Sequence, residues 1–189
     1  MSEKSIRTIA NIIKGGLLLL PFLSLIVVGS FFFPFITGKN FFFRIVVEIL
    51  FFLWVFVACF DKTYRPKKSP IFVALAVFIL VLTLATIFGE NPYRSFWSNY
   101  ERMEGLIGHL HLFAYFLILT SMFKSRKDWM LFFYILLGVS VIVSIYGYLQ
   151  LAGKLAIHQG QTRLDATFGN ATYLAIFIIF HLFIISILF

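Results

Sequence analysis

Residues 91–111, NPYRSFWSNYERMEGLIGHLH, are the longest polar interruption in an otherwise apolar chain. The segment holds two arginines, two glutamates and two histidines, and apolar runs border it on both sides. A second polar segment, residues 150–170, interrupts the apolar sequence further on. Apolar runs separated by short polar segments are typical of helices that cross a membrane, so these two segments decide how the chain folds.

The amino-acid composition indicates the class of protein. The chain has 189 residues, of which 61% are hydrophobic and only 13% are charged. A water-soluble domain cannot bury that much apolar surface, which predicts an all-α integral membrane protein. Basic loops that set membrane topology account for the net charge of +8. Because the basic and aromatic residues are divided among separate loops, we expect no nucleic-acid partner.

Six apolar runs predict about six transmembrane helices. The predicted spans lie near residues 17–35, 41–60, 71–88, 106–123, 129–151 and 171–189. Ten basic residues fall in segments on the same side of the membrane as the N-terminus, and five fall in segments on the opposite side. This bias places the basic N-terminal segment 1–16 in the cytoplasm and the loops 89–105 and 152–170 in the periplasm. The last run reaches Phe189 without a following basic segment, so we expect the N-terminal half of a larger bundle.

One ionisable pair falls inside a predicted span. Arg44 and Glu48 lie four residues apart, so on a helix they share a face and can pair. Because ionised groups are costly in a bilayer, we expect them to face other helices or the headgroups. Two roles stay open: a structural pair with Arg44 extended towards the interface, or a path for protons or substrates in a transporter or flippase.

The polar segment 91–111 contains signals for helix boundaries. Asn91-Pro92 is typical of a turn. Ser98 and Glu101 fit a capping box, in which each side chain accepts a hydrogen bond from the backbone amide of the other. We therefore predict a helix that begins at Ser98 and continues into the fourth span, with Gly105 allowing another helix or a ligand to approach closely.

Two arginines of this segment are candidate anion ligands. The guanidinium groups of Arg94 and Arg102 can bind phosphate oxygens in a bidentate geometry and stay charged at physiological pH. On the predicted helix, Arg102 would share a face with His109. The alternative is an interfacial helix whose aromatic residues and arginines only anchor it at the membrane surface. His109 and His111 point in different directions at this spacing, so we expect no metal site.

The second polar segment offers another candidate anion site. Arg163 and Asp165 lie just before Asn170, which is a candidate N-cap for the last span. Helix N-termini attract anions, so a phosphate would fit between Arg163 and this helix end. The alternative is a surface ion pair between Arg163 and Asp165 in an ordinary loop. We expect His158 in the same loop to be solvated.

Two stretches of the chain resemble a known family. NPYRSFWSNYERMEGL at 91–106 and RLDATFGNATYLA at 163–175 resemble the motifs of the O-antigen ligase/polymerase-like membrane proteins of bacteria. The matching residues are Asn91, Arg94, Ser95, Phe96, Trp97, Asn99, Tyr100, Glu101, Arg102, Gly105, Leu106, Arg163, Thr167, Phe168, Gly169, Asn170, Tyr173, Leu174 and Ala175. Ser98 stands where glycine is usual, and Ala171 stands where proline is common.

The resemblance implies an enzyme of the bacterial inner membrane. Such an enzyme transfers a glycan from an undecaprenyl-diphosphate carrier to a glycan or lipid acceptor at the periplasmic face, among membrane lipids and without a metal or other cofactor. The residues assigned to the diphosphate are Arg163, Arg102 and Arg94, with Glu101, Asn170 and Asp165 in support. The catalytic histidine is expected in a loop beyond Phe189. Ligase and polymerase activities both stay open, and the remaining alternative is an inactive, truncated membrane scaffold.

Overall fold

A computed structural model describes residues 2–99, 102–158 and 162–188, and this part of the chain contains helices and loops but no β-strand. Its α-helices are α1 (Glu3–Leu19), α2 (Thr37–Phe60), α3 (Pro70–Phe88), α4 (Pro92–Trp97), α5 (Leu106–Met122), α6 (Arg126–Leu151) and α7 (Ala171–Leu188). Helices account for 75% of the structure, which confirms the predicted all-α class.

Five helical segments of the described chain are long and apolar enough to cross a membrane. They are Glu3–Leu25, Thr37–Phe60, Pro70–Phe88, Arg126–Leu151 and Ala171–Leu188. The fourth predicted span corresponds to α5, which is apolar but has 17 residues. That length corresponds to about 25 Å, at the lower limit for a membrane-spanning helix. The helices are consistent with an all-α membrane protein.

The first predicted span has the wrong bounds. α1 begins at Glu3, where the Ser2 hydroxyl accepts a hydrogen bond from the Ser5 amide at 3.2 Å. Pro21 has no amide hydrogen to donate, and the helix continues as a tighter 3-10 helix, Leu20–Leu25. Residues 26–35, which were predicted to lie inside the span, form turns, bends and irregular backbone instead.

The chain divides into two compact units. The first comprises Met1–Leu20 and Asn40–Lys124, and the second comprises Pro21–Lys39 and Ser125–Phe189. In the first unit, α2 and α5 run in the same direction. Contacts join Asn40 to Arg102 near the starts of the two helices and Tyr64 to Lys124 beyond their ends. Two helices separated by one returning span have this relation, because successive membrane spans alternate in direction.

In the second unit, α6 packs against α7. The centre of the contact is apolar, with Val139 and Val143 of α6 against Leu174 of α7 and Ala166 of the preceding loop. All four side chains are nearly inaccessible to solvent. The loop 152–170, which makes up most of the second polar segment, therefore connects two helices that are packed together.

Candidate functional site

The first polar segment forms a short helix rather than the predicted continuous one. The side-chain oxygen of Asn91 accepts a hydrogen bond from the Arg94 amide at 3.0 Å, and Pro92 occupies the first position of α4. The amide of Ser98 donates to the Arg94 carbonyl oxygen at 2.7 Å, so Ser98 ends α4 instead of starting a helix. The predicted capping box is wrong at Ser98, and Glu101 lies outside the described residues.

Gly105 brings the beginning of α5 against α4. It is the N-cap residue of α5, and a Cβ atom at this position would overlap with the carbonyl groups of Ser95 and Phe96. The group that approaches Gly105 closely is therefore the backbone of α4. The prediction that Arg102 and His109 share a helix face is wrong, because Arg102 precedes the helix.

The beginning of α2 supports the loop between α4 and α5. The side-chain amide of Asn40 donates to the Arg102 carbonyl oxygen. The Arg44 guanidinium lies 3.2 Å from the sulfur of Met103 and 5.9 Å from the centre of the Trp97 ring. The predicted Arg44–Glu48 pair is wrong, since Arg44 points towards this loop.

A pocket of about 450 Å³ lies between this loop and the first turns of α2 and α5. Its walls are formed by Asn40, Phe43, Arg44, Arg102, Met103, Glu104, Gly108, His109 and Leu112. Two guanidinium groups and one carboxylate line the pocket. The positive charges outnumber the negative one, so the pocket suits an anion. Arg44 therefore joins the predicted ligand Arg102. Sequence reasoning missed Arg44 because it treated the residue as a partner of Glu48.

The other predicted ligand of the first unit lies outside this pocket. Arg94 is on α4, its side chain is exposed, and it does not line the 450 Å³ pocket. The structure thus brings Arg102 together with Arg44 and leaves Arg94 on the neighbouring surface of the short helix.

A buried polar pair joins the end of α6 to the loop that follows it in the second unit. Asp165 is fully buried and Gln150 is 2% exposed. The Gln150 amide donates to Asp165 Oδ1 at 2.6 Å, and its oxygen accepts from the Ala166 amide at 2.8 Å. The second oxygen of Asp165 accepts from the His158 amide at 2.8 Å. Ala166 has a positive φ of 44°, a strained conformation for a residue with a side chain, and Gln150 helps to hold it.

The Arg163 side chain of this loop is exposed to solvent. Arg163 is exposed, two positions before the buried Asp165. The Asn170 side chain accepts from the Thr172 amide at 2.8 Å, which confirms the predicted cap of α7. Asp165 therefore positions the loop on which Arg163 lies. Sequence reasoning missed Gln150, and the only available signal was a polar residue at the end of an apolar run.

Lys39 also contacts this loop. The second span was predicted to begin at residue 41, but α2 begins at Thr37, so Lys39 lies in its first turn. The Lys39 ammonium donates to the Thr167 carbonyl oxygen at 2.6 Å and lies 4.5 Å from the centre of the Phe168 ring. The Lys39 ammonium therefore stabilises the loop and does not belong to its exposed surface.

The two histidines of α5 face different neighbours, as their spacing predicts. His109 Nδ1 lies 3.1 Å from the Gly105 carbonyl oxygen, and its ring packs against Phe78 of α3. His111 Nε2 lies 2.8 Å from Glu48 Oε1 of α2. Within the described ranges, no three His, Cys, Asp or Glu side chains are grouped so that they could hold a metal ion.

Each unit therefore carries a candidate anion-binding region: the Arg44–Arg102 pocket in the first and the Arg163 loop in the second. Comparison with known proteins finds no matching protein-family model, no matching curated protein and no matching solved structure. The chemistry of these two regions is the basis on which a function can be argued.

Proposed function

We propose that this chain is the donor-binding part of a bacterial inner-membrane enzyme that transfers a glycan from undecaprenyl diphosphate to a glycan or lipid acceptor at the periplasmic face. The observation that carries the proposal is that Arg44 and Arg102 line one pocket of about 450 Å³. The pocket lies where two apolar helices, α2 and α5, begin. A lipid-linked diphosphate has the complementary form, with an anionic head joined to a long hydrocarbon chain.

The chemistry of the transfer explains the need for two arginines. When the bond between the sugar and the diphosphate breaks, negative charge develops on the leaving diphosphate. Guanidinium groups fixed beside the phosphate oxygens stabilise that charge without a metal ion. Arg44 is already held by Met103 and Trp97, so little reorganisation is needed when the donor binds.

Arg94 and Arg163 have supporting roles in this proposal. Both side chains are exposed, so both are available to a large substrate. Arg163 lies two positions before Asp165, whose carboxylate accepts a hydrogen bond from Gln150. An exposed guanidinium can make a charge-assisted contact with an anionic substrate.

A binding experiment tests the donor site without requiring turnover. The purified chain in lipid nanodiscs is titrated with undecaprenyl diphosphate and with uncharged undecaprenol, and bound lipid is counted by native mass spectrometry. We expect preference for the diphosphate, and we expect Arg44→Ala and Arg102→Ala each to weaken its binding about 10-fold or more, since hydrogen bonds to charged groups contribute roughly 1.5–3 kcal/mol. Lys154→Ala, which removes an exposed cation of the other unit, serves as the control. Equal diphosphate affinity in all variants would refute the assignment.

A transfer experiment tests the chemistry in the intact enzyme. In cells whose surface polysaccharide depends on this protein, Arg102→Ala is expected to lower glycan transfer about 100-fold, the usual effect of removing one group that stabilises developing charge. Arg102→Lys should retain more activity, because it keeps the charge and loses only the bidentate geometry. Undiminished polysaccharide in both Arg102→Ala and Arg163→Ala would exclude the proposed roles.

A further inference from the structure

α2 and α5 share a contact between a carboxyl group and an imidazole at the centre of α2. Glu48 is the twelfth of the 24 residues of α2, and its Oε1 lies 2.8 Å from His111 Nε2. The other imidazole nitrogen of His111, Nδ1, lies 2.7 Å from the Ile107 carbonyl oxygen. His111 is only 7% exposed, whereas the Glu48 side chain is 56% exposed and lines the neighbouring cleft.

The geometry fixes the number of protons that the pair carries. The Ile107 carbonyl oxygen can only accept, so His111 Nδ1 bears a hydrogen. The contact between Nε2 and Glu48 requires a second proton, which is either on the imidazole and donated to a carboxylate or on the carboxyl group and donated to Nε2. Both arrangements have no net charge. A carboxylate beside a singly protonated imidazole would instead place the Nε2 lone pair against Oε1.

The surroundings of the pair favour the neutral arrangement. Glu48 and His111 line a cleft of about 570 Å³ whose other walls are apolar, including Val47, Phe51 and Leu110. An uncompensated negative charge in such a cleft is costly. Among the described residues, His111 is therefore the group that can neutralise a negative charge on Glu48.

The charged and titratable groups of the neighbouring elements are directed elsewhere. Arg44 of α2 points to Met103 and Trp97, and His109 of α5 points to Gly105 and Phe78. Tyr115 of α5 packs against Phe43. The helix α3 has no acidic or basic residue. On α1, Lys14 acts on Lys124, beyond the end of α5.

We propose that Glu48 and His111 form a proton-binding site within the membrane-spanning part of the first unit. The site holds one proton between the carboxyl group and the imidazole. When this proton passes to water in the cleft, a carboxylate and an imidazole protonated at Nδ1 remain, and the hydrogen bond that joins α2 to α5 is lost. The occupancy of the site by a proton is thereby coupled to the contact between the two helices. This inference stands independently of the proposed glycan transfer.

Spectroscopy of the full chain in nanodiscs at neutral pH tests the proton count. The glutamine in Glu48→Gln can donate to Nε2 but has no acidic proton, so it is the matched variant. We expect the wild type to show either a protonated His111 Nε2 in nitrogen NMR or a carboxylic-acid C=O band in infrared spectra that shifts in heavy water. We expect Glu48→Gln to lose this signal. The His109 signals, assigned with His109→Gln, should stay unchanged. An ionised Glu48 beside a singly protonated His111 in the wild type would overturn the proposal.

A second measurement separates this site from the diphosphate pocket. Glu48 and His111 do not line the pocket that contains Arg44 and Arg102. We therefore expect Glu48→Gln to bind undecaprenyl diphosphate with unchanged affinity in the same nanodiscs. A tenfold loss of that affinity would show that the two sites are one, and would overturn their separation.

Discussion

At the scale of single residues, Gln150 and Asp165 show how a buried charge is accommodated in this protein. Asp165 is fully buried and accepts hydrogen bonds from the Gln150 side chain and the His158 amide. A buried carboxylate without such donors would be strongly destabilising. The same glutamine binds the amide of Ala166, whose positive φ needs support from the surrounding structure. The Gln150 side chain therefore donates a hydrogen bond to the Asp165 carboxylate and also stabilises the strained backbone at Ala166.

Replacement of Gln150 should destabilise the second unit. Gln150→Ala leaves Asp165 Oδ1 and the Ala166 amide without this partner, and we expect a loss of about 1–3 kcal/mol in the free energy of unfolding. Thermal unfolding in detergent, followed by circular dichroism, measures the change. Thr162→Ala, an exposed position of the same loop, is the control and should change stability by less than about 0.5 kcal/mol. Equal unfolding temperatures of Gln150→Ala and the control would contradict the role of the pair.

At the scale of elements, the junction of α4 and α5 is decided by competition between local helix signals. Asn91 and Pro92 start a helix early, and Ser98 is used as its end. The backbone then needs a residue without a side chain at Gly105, because the beginning of α5 packs on the carbonyl groups of α4. This packing positions the loop that carries Arg102.

Substitution of Gly105 tests this junction. In Gly105→Ala the new methyl group meets the Phe96 and Ser95 carbonyls, so α4 must move, at a cost of about 1–3 kcal/mol in stability. Gly138→Ala in α6 is the matched control, since nothing lies within 4 Å of its added Cβ. The control should be neutral or stabilising by up to about 1 kcal/mol, because alanine favours helix. Calorimetric unfolding of both variants distinguishes them, and equal stability would refute the close approach.

At the scale of the whole molecule, basic residues gather at one end of the first unit. Lys124 follows α5 and lies 3.8 Å from the centre of the Tyr64 ring, which follows α2. Burial is the main factor that lowers the pKa of Lys124; the positive charges of Lys14 and Lys67 lower it further, and Asp61 acts in the opposite direction. Basic segments that are distant in sequence therefore meet at the end that the positive-inside rule assigns to the cytoplasm.

Labelling of single cysteines tests that orientation. In a Cys59→Ser background, Lys154→Cys places a thiol on the second polar loop and Lys67→Cys places one on the basic loop; both positions are exposed. With a maleimide that does not cross membranes, we expect Lys154→Cys to be labelled in spheroplasts and Lys67→Cys to be labelled only after permeabilisation. The opposite pattern would reverse the predicted topology.

The sequence by itself determined which segments of this protein are helical and apolar, because length and hydrophobicity are local properties. The bounds of α3 and α7, and the cap at Asn170, agree with the predictions within one residue. Predictions from local signals were wrong at Ser98, where two signals for a helix start compete. They were also wrong near Pro21, where the α-helix continues as a 3-10 helix.

Only the tertiary structure decided which polar side chains meet. Arg44 and Met103 are 59 residues apart, Glu48 and His111 are 63 apart, and Gln150 and Asp165 are 15 apart. The sequence offered Glu48 as a partner for Arg44 at helical spacing, but a charged side chain in an apolar helix bundle pairs with whichever group on a neighbouring element can satisfy it. That choice depends on which helices pack together, and helix packing is a property of the folded chain.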